Sequence, residues 1–326
     1  ERGAPDRFAA FVRRVMQRLE ERCRFFTVLN EPMVWLLGGY LTGLIPPGHK
    51  RLVALTRAAA QLVRGYVRAR SVIKAYAPNA RCGIAHNVVH FAPDRTTSVG
   101  DRWMTHGAHQ FYNHAFPAVL TRGELSLDMA PRLGSKIRIP EAEGTLDFLG
   151  LNYYTRAYIR WDPLRRRGPH RVWSFFDDRG DLGVSDLGWG IHPRSLKTML
   201  EDMARYDVPL IITENGLDDA DDSRRARFIY DHLQAVLDAR RRGVDVRGYL
   251  HWSLLDNFEW LEGYRPRFGL VEVDYETMRR SVRPSARYYA DIALARALPL
   301  EAPALRAKAG EPKAVAPPTS WSADSV

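Results

Sequence analysis

Residues 210–216 read Leu-Ile-Ile-Thr-Glu-Asn-Gly, a short apolar run that ends on a carboxylate. Pro209 precedes the run, whose length is that of a strand rather than a helix. A strand that buries residues 210–212 and presents Glu214 at its carboxyl end is typical of a parallel α/β barrel, because the active sites of such barrels lie at that end. A lone Glu-Asn-Gly is more often a turn, so Glu214 needs a partner before it indicates a site.

Strand-like and helix-like segments alternate along the chain. The predicted strands are 25–29, 82–85, 148–154, 210–214 and 246–252, and the predicted helices are 6–22, 51–76, 101–116, 193–206, 223–242 and 284–296. This alternation predicts a parallel sheet with right-handed crossovers. Pro117 is expected just after the third of these helices.

A closed barrel needs eight strands, and five are predicted here. We therefore predict an α/β fold, a (β/α)8 TIM barrel that is incomplete, with about five of the eight βα units, the fourth to the eighth. Residues 1–298 are expected to form this partial catalytic domain, with a hairpin-like excursion at 156–190. The Ala- and Pro-rich residues 299–326 are predicted to be a disordered tail.

The composition narrows the class of partner. The formal net charge is +10, with arginine clusters at 165–167 and 240–242. Acidic residues are interspersed with these clusters, which is typical of solvated faces, so we expect no nucleic acid as partner. No run of about 18 apolar residues occurs, so we expect no membrane span.

Two cysteines, Cys23 and Cys82, lie at the entry to predicted strands. They fit buried, reduced thiols of a cytoplasmic protein better than a disulfide framework, and neither has the neighbours of a metal site. The chain opens on Glu1 rather than Met and has no secretory signal there, so we expect that an upstream portion is absent.

Glu31 ends a second strand in the same way as Glu214, after Leu29-Asn30. The carboxyl ends of parallel strands meet over the mouth of a barrel, so we expect the two acids to face each other although they are 183 positions apart (214 minus 31). Facing acids suit glycoside hydrolysis, in which one acid protonates the leaving oxygen while the other is ionised. Mutual repulsion raises the pKa of one of them, which supplies that difference.

Aromatic residues cluster at the strand ends or in the loops just after them. An indole face matches the C–H face of a pyranose, and Asn, Glu and Tyr side chains bond the sugar hydroxyls. Phe258 is expected in the core, whereas the polar residues between Trp252 and Trp260 argue against burying that pair. The cluster comprises Tyr153, Tyr154, Trp189, Trp252, Phe258 and Trp260.

Four motifs together resemble glycoside hydrolase family 1, in that family's order and over residues 6 to about 295. They are Leu-Asn-Glu-Pro (29–32), Gly-Leu-Asn-Tyr-Tyr (150–154), Ile-Thr-Glu-Asn-Gly (212–216) and Trp-Ser-Leu-Leu-Asp-Asn-Phe-Glu-Trp (252–260). The resemblance implies a retaining β-glycosidase of β-glucosidase type on a (β/α)8 barrel. It implies a terminal β-linked hexose as substrate, and no cofactor or metal.

The resemblance also implies residue roles. Glu31 would be the general acid/base and Glu214 the nucleophile, with carboxyl groups roughly 5–5.5 Å apart. Asn30 would bond the sugar 2-hydroxyl, and Tyr154 would hold the Glu214 carboxylate. The remaining expected substrate-binding residues are Asn152, Trp252 as a platform under the sugar, and Glu259 and Trp260 for its 4- and 6-hydroxyls; the Glu259 carboxylate should repel a 6-phosphosugar.

Two features depart from the family pattern. Val28 stands where the family usually has Thr, and the family's first three strands, which carry a Gln, a His and an Arg of the site, have no counterpart here. We therefore expect the chain alone to be unstable or inactive, or to pair with a missing N-terminal segment. The alternative function is a non-catalytic carbohydrate-binding barrel, against which the presence of both acids argues.

Overall fold

The structure is a computed structural model that describes residues 3–19, 22–128, 135–161 and 180–305, together with the backbone of 173–174. The arginine cluster at 165–167, much of the predicted excursion and residues 306–326 of the predicted tail lie outside the described residues. None of the described helices is long and apolar enough to cross a membrane.

Helices and strands alternate through the described residues. The strands are β1 (Phe25–Asn30), β2 (Arg81–Pro93), β3 (Glu124–Ser126), β4 (Lys136–Arg138), β5 (Phe148–Ile159), β6 (Trp173–Ser174), β7 (Leu210–Glu214), β8 (Val246–Tyr249), β9 (Val271–Val273) and β10 (Arg280–Val282). The α-helices are α1 (Ala4–Leu19), α2 (Pro32–Leu36), α3 (Leu52–Tyr76), α4 (Val99–His109), α5 (Ala115–Arg122), α6 (Pro193–Met203), α7 (Arg225–Arg241) and α8 (Pro284–Ala295). Two segments, Leu37–Thr42 and Gln110–His114, are π-helical, and short 3₁₀ turns cover Pro140–Ala142, Ala204–Tyr206 and Trp260–Glu262.

Five parallel strands form the main sheet, in the order β1-β2-β5-β7-β8. Each connection between neighbours contains at least one helix, which is why the strands run parallel and their carboxyl ends share one edge of the sheet. The predicted alternation is thus confirmed. The antiparallel pairing of β6 with the end of β5 also agrees with the predicted hairpin, for residues 173–174.

The opening run forms β7 with alternating burial. Leu210 and Ile212 are fully buried, whereas Ile211 is only half-buried. Successive strand side chains point to opposite faces, so the predicted burial of all three residues is wrong for Ile211. The core cluster that contains Leu210 and Ile212 also includes Val63 of α3 and Leu196 of α6, so the outer helices cover this face of the sheet.

Strand β2 continues well past the predicted end at residue 85. The polar residues His86 and Asn87 follow that point, but both form hydrogen bonds inside the protein, so the strand need not end there. The helix predicted at 101–116 is likewise longer and passes through Pro117. Because proline has no N–H, the Asn113 carbonyl, four residues before Pro117, receives no helical hydrogen bond from it. This carbonyl contacts His86 Nε2 at 3.0 Å.

Both cysteines are free. Cys82 is buried in β2, and burial raises the pKa of its thiol to about 11. Cys23 is only half-buried, so the expectation of two buried thiols is wrong for Cys23, which lies in the irregular segment before the edge strand β1.

Candidate active site

The strand register brings polar residues together at the carboxyl edge of the sheet. Asn87 of β2 lies opposite Asn152 of β5, and Asn152 lies opposite Glu214 at the end of β7. Glu31 follows the last residue of β1, and its backbone N–H donates to the Ala85 carbonyl over 2.7 Å. Four neighbouring strands therefore contribute to one polar cluster.

Glu31 occupies a strained position between β1 and α2. Its φ of 46° lies in the left-handed region, which non-glycine residues rarely adopt and which recurs at functional sites. Its Oε1 atom accepts hydrogen bonds from Asn87 Nδ2 (3.1 Å) and Asn152 Nδ2 (2.9 Å). Burial raises the pKa of Glu31, and these two amide hydrogen bonds oppose the rise.

Glu214 is held by a phenol. Tyr154 Oη donates to Glu214 Oε2 over 2.6 Å. The pKa of Glu214 is raised to about 7, by burial and by the charge of Glu31, while hydrogen bonds from Tyr154 and Asn152 oppose the rise. Because the charge of Glu31 acts on Glu214, the two acids belong to one electrostatic site.

Asn152 joins the two acids. It is fully buried, and its Nδ2 donates to Asn30 Oδ1 (3.1 Å) as well as to Glu31. The hydroxyl of Thr213 donates to its Oδ1 over 2.6 Å, which fixes the orientation of the amide. Asn152 is thus buried and hydrogen-bonded to Asn30, Glu31 and Thr213, and its expected contact with the sugar stays a prediction.

Trp252 lies beside the end of β7. Its backbone N–H donates to the Asn215 carbonyl over 2.9 Å, and its peptide bond to Ser253 is cis. Gly216 permits this approach, because a Cβ there would overlap the Trp252 carbonyl oxygen. The Trp252 side chain hydrogen-bonds Glu259, whose pKa is raised to about 7 by burial and by the charge of Glu31.

The family model described as glycosyl hydrolase family 1 matches residues 1–297. The chain belongs to glycosyl hydrolase family 1. It is therefore a glycoside hydrolase by family, as the four motifs predicted.

Curated relatives of the family include glucosidases and galactosidases. Beta-glucosidase A of Thermotoga maritima is 33% identical over 309 residues, which cover 89% of this chain and 68% of that protein. The beta-galactosidase of Sulfolobus acidocaldarius is 31% identical over 305 residues, covering 90% of this chain and 59% of that protein. The chain thus spans roughly three fifths to two thirds of these relatives.

A solved family member has the same fold. The beta-glucosidase from Thermotoga maritima in complex with deoxynojirimycin superposes with a TM-score of 0.82 at 31% identity, over 92% of this chain and 70% of that one. The family fold is a (β/α)8 barrel, and the five parallel strands of the described sheet are those of such a barrel.

Two residues of the candidate site are not predicted from the sequence. Asn87 contacts Glu31, and the buried Tyr112 donates to Asn87 Oδ1 over 2.7 Å. The predicted strand ends at residue 85, so Asn87 is not predicted to lie at a strand end. The signal that could have found it is the apolar run at 88–89 directly after Asn87, which continues the strand.

Phe258 and Trp260, in the loop after β8, are exposed. Trp260 is 79% exposed and lies one residue after Glu259. The core position predicted for Phe258 is wrong, because Phe258 is 53% exposed and packs edge-on against Tyr264, with ring centroids 5.2 Å apart. Trp189 packs edge-on against Tyr154 at 5.7 Å, and so flanks the phenol that contacts Glu214.

Proposed function

We propose that this chain carries the catalytic carboxylates of a retaining β-glycosidase, which hydrolyses a terminal β-linked hexose by double displacement. The observation that carries the proposal is that Glu31 and Glu214, from two different strand ends, both form hydrogen bonds with Asn152, while Tyr154 donates to Glu214 and the charge of Glu31 acts on it. A retaining glycosidase needs two such carboxyl groups, one protonated and one ionised.

Burial raises the pKa of both acids, and the two acids differ in how their carboxyl oxygens are bonded. Both amide donors of Glu31 converge on Oε1, which leaves Oε2 free to carry a proton. The hydroxyl of Tyr154 donates to Glu214, which stabilises its ionised form. Since each acid disfavours ionisation of the other, the pair holds a single proton over a range of pH, and we assign that proton to Glu31.

Two chemical steps follow from this assignment. In the first, Glu214 attacks the anomeric carbon while Glu31 gives its proton to the glycosidic oxygen, so the aglycone leaves as an alcohol and a glycosyl ester forms on Glu214. In the second, the Glu31 carboxylate takes a proton from water, whose oxygen attacks the anomeric carbon. This step releases the sugar with its original anomeric configuration and restores both acids.

Substrate binding follows from the residues around the acids. We assign the sugar 2-hydroxyl to Asn30, the platform under the ring to Trp252, and the 4- and 6-hydroxyls to Glu259 and Trp260. The indole of Trp260 is exposed and the Glu259 side chain is half-buried, so both are accessible to a sugar. A carboxylate there favours an unmodified hexose over a 6-phosphosugar.

The substrate class is a terminal β-glucoside or β-galactoside. The relatives are named as a beta-glucosidase and a beta-galactosidase, so the preference between these sugars is to be decided by experiment. We also propose that the five parallel strands are the fourth to eighth strands of the barrel, in the order β1, β2, β5, β7 and β8. The reason is the position of the two acids, since Glu31 follows β1 and Glu214 ends β7.

The anomeric configuration of the first-formed product tests the mechanism. Proton NMR of an aryl β-glucoside and an aryl β-galactoside, recorded during hydrolysis, is expected to show the β-anomer of the free sugar before mutarotation. First release of the α-anomer would contradict double displacement. Sugar binding without hydrolysis would instead favour a carbohydrate-binding role.

A further inference from the structure

Tyr112 lies outside the four family motifs, yet two hydrogen bonds connect it to Glu31. Tyr112 Oη lies 2.7 Å from Asn87 Oδ1, and Asn87 Nδ2 lies 3.1 Å from Glu31 Oε1. An amide oxygen can only accept a hydrogen bond, so the phenol is the donor. The Asn87 amide is therefore oriented, with its oxygen toward Tyr112 and its nitrogen toward Glu31.

We propose that Tyr112 is a positioning residue for Glu31. The Tyr112 hydroxyl keeps Nδ2 of Asn87, rather than Oδ1, facing the Glu31 carboxylate. The inference rests on the proposed role of Glu31. An N–H group bonds an ionised carboxylate, whereas an amide oxygen could accept only from a protonated one. Tyr112 thus favours the ionised Glu31, which is the general base of the second chemical step.

The π-helical segment Gln110–His114 fixes Tyr112 against β2. Asn113 bridges the backbone of Val89, since its Oδ1 accepts from the Val89 N–H (3.0 Å) and its Nδ2 donates to the Val89 carbonyl (2.8 Å). The Asn113 carbonyl also contacts His86 Nε2 at 3.0 Å. Such π-helical turns occur often at functional sites, and this one brings two consecutive residues into contact with the same strand.

A second network holds the other side of this segment. The Nε2 atoms of His109 and His114 and Oδ2 of Asp202 lie 3.0–3.1 Å from one another. Asn113 Nδ2 lies 3.0 Å from His109 Nδ1, so His109 carries its proton on Nε2 and donates it toward Asp202. His114 Nδ1 pairs with Tyr206 Oη at 2.7 Å. With both sides of the segment fixed, the Tyr112 hydroxyl is held ready to bond Asn87.

The expected effect of Tyr112→Phe falls on one chemical step. With an aryl β-glucoside whose turnover is limited by the second step, this substitution should slow that step roughly 3–10-fold at pH 7, the effect of one hydrogen bond. The initial burst of phenol should keep its rate. The matched control is Tyr66→Phe, because Tyr66 is equally buried but donates to the Thr145 carbonyl (2.8 Å).

A double-mutant cycle separates positioning from general packing. If Tyr112 acts through Asn87, then Tyr112→Phe should have no further effect in an Asn87→Ala background. An equal slowing in both backgrounds, or a Tyr66→Phe control that slows the step as much, would overturn the proposal. Thermal unfolding of each variant establishes that the fold is retained.

A titration distinguishes failure of this inference from failure of the proposed function. Carbon-13 NMR of glutamate-labelled protein, with Glu31→Gln to assign the signal, follows Glu31 without any turnover. In Tyr112→Phe, Glu31 should titrate at higher pH than in the wild type. An unchanged titration overturns the positioning role. A wild type that releases no phenol overturns only the proposed function.

Discussion

The hydroxyl of Tyr154 donates a hydrogen bond of 2.6 Å to Oε2 of Glu214. This bond favours the ionised carboxylate that a nucleophile requires. Burial and the charge of Glu31 act in the opposite direction and raise the pKa of Glu214 to about 7. Among the described residues, neither carboxylate is hydrogen-bonded to an arginine or lysine, so the phenol is a main source of stabilisation for the Glu214 charge.

Removal of the Tyr154 hydroxyl should therefore weaken the nucleophile. We expect Tyr154→Phe to lower kcat/KM roughly 10–100-fold, the range for a hydrogen bond to a charged group, and to move the acidic limb of the pH profile upward. The adjacent Tyr153 provides a control, because its buried hydroxyl donates to the His192 carbonyl (2.8 Å) rather than to an acid. An equal loss in Tyr153→Phe would point to packing rather than charge.

Removal of the Glu31 carboxyl should abolish its proton transfer. We expect Glu31→Ala to slow hydrolysis of an aryl β-glucoside by roughly 10²–10⁴-fold, the usual contribution of general acid–base catalysis. Added azide should restore turnover and yield the β-glycosyl azide, because azide attacks without losing a proton. The same treatment of Glu214→Ala should not yield the β-azide. Failure of azide to restore Glu31→Ala would argue against the assigned role.

The raised pKa of Glu214 also predicts a pH dependence of stability. A carboxyl group whose pKa is higher in the folded than in the unfolded protein stabilises the fold fully below its unfolded pKa, near 4.5, and this contribution is lost as pH rises through about 7. The loss is on the order of 2–3 kcal/mol for Glu214.

Urea unfolding measured from pH 4 to pH 8 checks this expectation. The free energy of unfolding of the wild type should fall relative to that of Glu214→Gln over that interval, because the variant lacks the carboxyl group that ionises. Glu259→Gln is a companion variant, because burial raises the pKa of Glu259 to about 7 as well. Parallel curves for the wild type and Glu214→Gln would show that Glu214 ionises without an energetic penalty.

Gly216 should not tolerate a side chain. A Cβ at this position would overlap the Trp252 carbonyl oxygen, so Gly216→Ala must displace either the end of β7 or the residue proposed as sugar platform. We expect a loss of about 2 kcal/mol or more in unfolding free energy, with weaker sugar binding. Gly65→Ala is the control, because the nearest atom to its Cβ in α3 lies at an ordinary 3.6 Å, and alanine favours helix.

The positions of both acids could be predicted from sequence because each follows an apolar run of strand length. Glu31 directly follows β1 and Glu214 ends β7, and parallel strands place their carboxyl ends at one edge. Periodicity and strand order were sufficient for this, since neither depends on distant side chains.

The supporting residues could not be predicted in the same way. Asn87 and Tyr112 belong to the site through hydrogen bonds to residues distant in the chain. A polar Asn within an apolar run indicates a strand end unless its hydrogen-bond partners are known. Phe258 is expected in the core, whereas in the structure it lies in a loop that leaves it 53% exposed. Burial of a loop residue depends on tertiary packing that no local pattern encodes.

The most direct test of the assigned nucleophile is covalent trapping. Incubation with a 2-deoxy-2-fluoro-β-glucoside that carries a good leaving group slows the second step more than the first, so a glycosyl ester should accumulate. Mass spectrometry of the digested protein is expected to locate the sugar on Glu214, and Glu214→Gln should remain unlabelled. A wild type that binds the sugar without forming an adduct, or an adduct on a residue other than Glu214, would contradict the assignment.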